Sequence, residues 1–100
     1  MKTILVIYTN AKSVKKSEIA RYKKYSFNTE ADLEVGDIIK SPQYNTNMMV
    51  VKILPRVYKY YNRSTGKLSN TFNSTNQWEI RPLVLREEDE MTVYGSLIKD

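Results

Sequence analysis

Apolar and polar positions along this chain follow a period of two more often than one of 3.6, and they divide into short extended segments separated by turn residues. Lys2 to Thr9 concentrates Ile, Val and Leu with little alternation and closes at Asn10, the pattern of a strand buried on both faces and therefore central. Asn10 to Ala20 is polar and reads as a loop, in which Ser13 or Ser17 is available to cap a short helix turning Ile19 and Tyr22 inward. Arg21 to Asn28 is a strand with Tyr25 and Phe27 on one face and Lys24 and Ser26 on the other. Asp32 to Asp37 is a corner: Gly36 supplies the positive φ that L-residues resist, and the Asp37 carboxylate is placed to bond nearby backbone amides. Ile38 to Ser41 is a short strand that Pro42 ends or confines to a sheet edge. Tyr44 to Asn47 is the next turn, and Met48 to Leu54 returns antiparallel with Met49, Val51 and Ile53 on one side.

Pro55 predicts a bulge or bend, after which Arg56 to Tyr61 alternates again as a strand leaving the barrel. Asn62 to Gly66 is a turn with Gly66 at its positive-φ position, and the polar run Lys67 to Asn76 is either the returning arm of a hairpin or a loop. Gln77 to Arg86 is a strand placing Trp78 and Ile80 on one face, and Trp78, Met48 and Met49 read as core. Glu87 to Glu90 is an acidic, solvated turn, and Met91 to Ile98 is a last strand with a bulge at Gly95. Five to seven short strands in 100 residues describe a single all-β domain spanning residues 1–100. The expected architecture is a small SH3-like or OB-like barrel with at most one short helix and a hairpin protruding over about residues 56–76.

The stretch Tyr25, Phe27, Leu33, Val35-Gly36-Asp37, Ile39 and Val50-Val51 carries a family resemblance. Its order of aromatic pair, corner, strand, turn and strand resembles small barrel proteins of bacteriophages and mobile elements, and the N-terminal DNA-binding domain of the primosomal helicase PriA. The resemblance covers under half of the chain and implies a small barrel and a nucleic-acid partner. After the corner Ser41-Pro42-Gln43-Tyr44 replaces that family's Gly-containing, Arg-bearing loop, so the resemblance transfers the fold and no functional residue.

Composition narrows the chemistry. With no cysteine and no histidine, the chain has no disulfide framework, thiolate nucleophile, zinc site of the common kinds or histidine general base. Asp32, Glu34 and Asp37 lack calcium-loop spacing, and no phosphate-binding glycine loop or nucleophile elbow is present. The expectation is a non-enzymatic protein without cofactor or metal. No segment is long and apolar enough to span a membrane, and the run Ile4 to Tyr8 is too short for a signal sequence. The expected compartment is the cytoplasm, of a bacterium or of a phage-infected host.

Charge and tyrosine distribution then suggest a partner. Lys15, Lys16, Arg21, Lys23 and Lys24 crowd the first quarter of the chain, and Arg56, Lys59, Arg63 and Lys67 fall in a stretch without a single acid. Net charge is +5, and such segregation attracts phosphates. Tyr58, Tyr60 and Tyr61 interleave with the second cluster, and tyrosine rings can stack on bases. Equally, half-buried strands favour tyrosine for packing alone, and the eight tyrosines of the chain fit that reading too. Two functions are expected on these residues: nucleic-acid binding, DNA or RNA, through the basic hairpin, or docking of a protein partner through the same hairpin, as in a virion component or an inhibitor of a host factor. Oligomeric state is not encoded in any pattern of this chain.

Overall fold

The first strand, β1 (Lys2–Tyr8), pairs on both sides, with β3 (Tyr25–Thr29) on one and β5 (Asn47–Leu54) on the other, both antiparallel. Thr3, Ile4, Val6 and Ile7 are fully buried, as expected of a central strand. The computed structural model describes residues 1–40, 45–84, 91–92 and 98–99. The remaining strands are β2 (Val14–Lys15), β4 (Ile38–Lys40), β6 (Tyr60–Asn62), β7 (Leu68–Ser69), β8 (Gln77–Glu79), β9 (Arg81–Pro82), β10 (Met91–Thr92) and β11 (Ile98–Lys99). They form a six-stranded sheet in the order β10-β4-β5-β1-β3-β9, curled into a half-barrel, a three-stranded sheet β7-β6-β8, and a two-stranded parallel pair β11-β2. The protein is thus a small all-β barrel, and its one helix among the described residues is the single turn α1 (Lys16–Ile19).

Both faces of the large sheet are covered. One face holds the main core, in which Ile4, Val6, Ile39, Met48 and Val50 meet Leu33 and Leu83. The other holds Ile7, Met49 and Val14, with Ile19 and Tyr22 packed over them. A bulge explains how β5 serves both: Leu5 pairs with Lys52 and Val6 with Val50, so Val51 is the extra residue and resets the alternation. Ile53 consequently joins Met48 and Val50 rather than the expected Met49 and Val51. The bulge sits at Val51, and at Pro55, where β5 ends, the chain makes the expected bend.

Four further expectations are corrected. The segment at 14–22 is a two-residue strand and a helical turn rather than a loop; Ile19 and Tyr22 face inward as expected, but the N-cap of α1 is Lys15, with no side-chain cap, rather than a serine. Of the two expectations for Pro42, the edge position is overturned, since β4 lies between β5 and β10; Pro42 itself and Tyr44, the first residue of the expected turn, lie outside the described residues. Arg56 to Lys59 is not strand, because Pro55 breaks the ladder and side chains take over the backbone groups: the Tyr58 N–H donates to Thr3 Oγ1 at 2.9 Å and the Lys59 N–H to Asn70 Oδ1 at 2.9 Å. The stretch 77–86 divides at Ile80, whose N–H bonds to the Lys59 carbonyl at 2.8 Å, whereas the Leu83 N–H bonds to the Asn28 carbonyl at 2.8 Å. The chain there leaves the three-stranded sheet for the half-barrel. Of the expected strand 91–98, Met91–Thr92 pair in the large sheet and Ile98 in the two-stranded pair, while residues 93–97 with Gly95, and the acidic turn expected at 87–90, lie outside the described residues.

The corner and the hairpin stand as expected. Gly36 has φ 97° and Gly66 φ 74°. Asp37 is buried and its Oδ2 accepts the Glu34 N–H at 2.8 Å, while β6 and β7 pair as the expected hairpin with Tyr60 opposite Ser69.

Candidate functional site

β9 runs parallel to β3, with Phe27 opposite Arg81 and Asn28 opposite Pro82. On the N-terminal side of that short ladder β8 pairs with β6 instead, so the two sheets part and leave a groove between β3 and β8. Its wider part, about 780 Å³, is lined by Tyr8, Tyr25, Phe27, Tyr61, Trp78, Glu79, Arg81 and Pro82 among others. It runs into a smaller recess of about 360 Å³ carrying Lys23, Lys24, Arg63, Ser64 and Asn76, and Tyr25, Tyr61 and Trp78 border both.

The rings in this groove are held in fixed orientations. On one wall Tyr25 is exposed and meets Tyr8 edge to face at 4.8 Å between centroids and 76° between planes. On the other wall Trp78 is 48% exposed and meets Tyr61 at 6.3 Å and 78°. Each exposed ring also carries a cation: Lys23 Nζ is 5.5 Å from the Tyr25 centroid, and the Arg63 guanidinium carbon is 4.0 Å from that of Trp78. Such contacts are worth about 0.5–1 kcal/mol at exposed sites. Four cations and one carboxylate, Glu79, border the groove, giving it a positive field.

Trp78 contradicts its expected place in the core, and the physical reason is the sheet change at Ile80. In an unbroken strand Trp78 and Ile80 share a face; here Gln77 and Ile80 are buried and Trp78 turns out into the groove. Gln77 anchors this wall: its Oε1 accepts the N–H groups of Asn73 at 2.6 Å and Ser74 at 3.0 Å, and its Nε2 donates to the Thr71 carbonyl at 3.1 Å.

Of the residues singled out from the sequence, Lys23, Lys24, Tyr61 and Arg63 come together at the groove. Lys24 is partly engaged, its Nζ donating to the Ile19 carbonyl at 3.1 Å. The others lie elsewhere. Lys15, Lys16 and Arg21 are exposed around α1, and Arg56 sits at the bend after β5. Tyr58 is bound through its backbone to Thr3 and Asn28, Lys59 is exposed, and Lys67 follows the hairpin turn. Tyr60 points to the opposite side of β6, where it packs on Phe72 at 5.5 Å. Trp78, Tyr25, Tyr8 and Arg81 were missed as site residues; the excess of tyrosine was the available signal.

Among the described residues no three His, Cys, Asp or Glu side chains gather as metal ligands, and no helix is long and apolar enough to cross a membrane. Comparison with protein-family models, with curated protein sequences and with solved structures gives no match. What the groove can do is therefore argued from its own chemistry: flat rings for stacking and cations for an anionic backbone.

Proposed function

We propose that the protein is a non-enzymatic nucleic-acid-binding module that works through the groove between β3 and β8. The supporting observation is that Tyr25, Tyr61 and Trp78 border one concave surface together with Lys23, Lys24, Arg63 and Arg81. Phosphates are attracted by the cations with release of counterions, and the rings offer base-stacking surfaces that ordinary solvated charge patches lack. Relative to the expected site the location moves: Tyr61 of β6 and the adjoining Arg63 form one wall with Trp78 of β8, and Tyr25 of β3 with Tyr8 of β1 forms the other.

A titration of the protein with labelled DNA and RNA, each single- and double-stranded and at two salt concentrations, tests this. Affinity for at least one of these that falls steeply with salt supports the proposal. Absence of binding to all of them at moderate salt, with a protein chain co-purifying and lost on mutating Trp78, replaces it with the protein-docking reading, since Trp, Tyr and Arg also dominate protein interfaces.

A further inference from the structure

The two walls of the groove repeat one arrangement. On each, an exposed ring is braced edge-on by a tyrosine behind it and covered by the protein's own cation: Tyr25 by Tyr8 and Lys23, Trp78 by Tyr61 and Arg63. We infer that the groove takes a single-stranded nucleic acid, with unpaired bases displacing Arg63 and Lys23 from the faces of Trp78 and Tyr25 and the displaced cations turning to the phosphates. This rests on the nucleic-acid reading proposed above and names the strand state it serves.

Three observations carry it. The only tryptophan of the chain is left half-exposed in a protein that buries Ile4, Ile7, Ile39, Met48 and Met49 completely, and it packs edge to face on Tyr61. The cover over Trp78 is light: Arg63 is exposed and its backbone N–H is tied to the Asn76 carbonyl at 2.9 Å, so the guanidinium can swing without the chain moving. A base stacked on the ring is worth more than an exposed cation over it, and the cation regains a charge-assisted bond at the phosphate. A duplex cannot make this exchange, because its base faces are stacked on one another and only base edges reach its grooves. Rings set in a concave recess therefore meet bases only where the strand is unpaired.

The test uses a single strand of about ten nucleotides, as DNA and as RNA, and the blunt duplex of the same sequence. Trp78 reports directly: its fluorescence changes on saturation with the single strand. Trp78→Ala lowers single-strand affinity by roughly 5- to 150-fold with the salt slope unchanged, and Trp78→Phe recovers most of it. Arg63→Gln flattens the salt slope by about 0.7 for a single strand. Circular dichroism confirms that each variant is folded. Equal or tighter duplex binding, or an unchanged affinity in Trp78→Ala, overturns the single-strand inference while leaving nucleic-acid binding in place; failure of every probe to bind overturns both.

Discussion

Thr3 and Tyr58 are joined by a hydrogen bond that fixes the entry to the second sheet: the Tyr58 N–H donates to Thr3 Oγ1 at 2.9 Å, fifty-five residues away along the chain. The Thr3 hydroxyl donates in turn to Asn28 Oδ1 at 2.5 Å, and Asn28 Nδ2 donates to the Tyr58 carbonyl at 2.9 Å. This closed ring ties both backbone groups of Tyr58 to β1 and β3, two residues before β6 begins, so it sets how the hairpin wall stands against the barrel. Thr3→Val keeps the shape and removes the hydroxyl from a fully buried position, leaving the Tyr58 N–H without its acceptor. The expected cost is about 1–3 kcal/mol, read as a lower urea midpoint with an unchanged slope.

Gln77 plays a matching part at the β8 side of the same wall. Its amide satisfies three backbone groups of the loop 71–74, and the side chain is buried. Gln77→Leu should destabilise by about 1–3 kcal/mol and speed amide exchange at Asn73 and Ser74 while β1 stays protected. Unaltered exchange at those two amides would show that the loop holds itself without Gln77.

The two positive-φ glycines should respond differently. Gly36 is buried at the corner, and its N–H bonds to the Val50 carbonyl at 2.8 Å, so Gly36→Ala should cost about 1 kcal/mol or more. Gly66 is exposed, with nothing within 4 Å of an added Cβ, so Gly66→Asn should be tolerated within about 0.5 kcal/mol, asparagine accepting the left-handed region. Thermal denaturation of the two variants side by side decides it.

Salt dependence separates the groove cations from the rest. Neutralising Lys23 or Arg81 should each flatten the slope of log affinity against log salt by about 0.7 for a single strand, whereas neutralising Lys15, Lys16, Arg21 or Lys67 should leave it unchanged. Flattening by the second group and not the first would move the phosphate path to the α1 side of the barrel.

Strand existence was legible where local pattern and tertiary role agree. β1 reads as central because both of its faces are apolar, and Gly36 and Gly66 mark their turns because most L-residues resist those angles. The bulge at Val51 was hidden for a related reason: Met48-Met49-Val50-Val51 is apolar on both faces, so no polar residue marks where the alternation resets. The groove was hidden more deeply. Its walls come from residues 23–27, 61–64 and 76–82, brought together by the β3–β9 ladder and the sheet change at Ile80, and a two-residue period drawn through Gln77-Trp78-Glu79-Ile80 places Trp78 on the wrong side. Tyr60 and Tyr61 lie on opposite faces of β6, as a two-residue period requires, because there the strand is unbroken.

The ladder between Phe27 and Arg81 also has a consequence for how the molecule comes into being. β1 and β3 lie close along the chain and can zip early, but the parallel pairing of β3 with β9 must close a loop of more than half the chain, and that of Val14 with Ile98 an even longer one. Loop-closure entropy sets such contacts late, and parallel pairings at long separation are slow to form. On a ribosome the half-barrel's first strands emerge long before Arg81 does, so the nascent protein passes through a stage with Tyr25 and Phe27 displayed along an open strand edge. During that interval the two rings that later line the groove stand in water without β9 beside them.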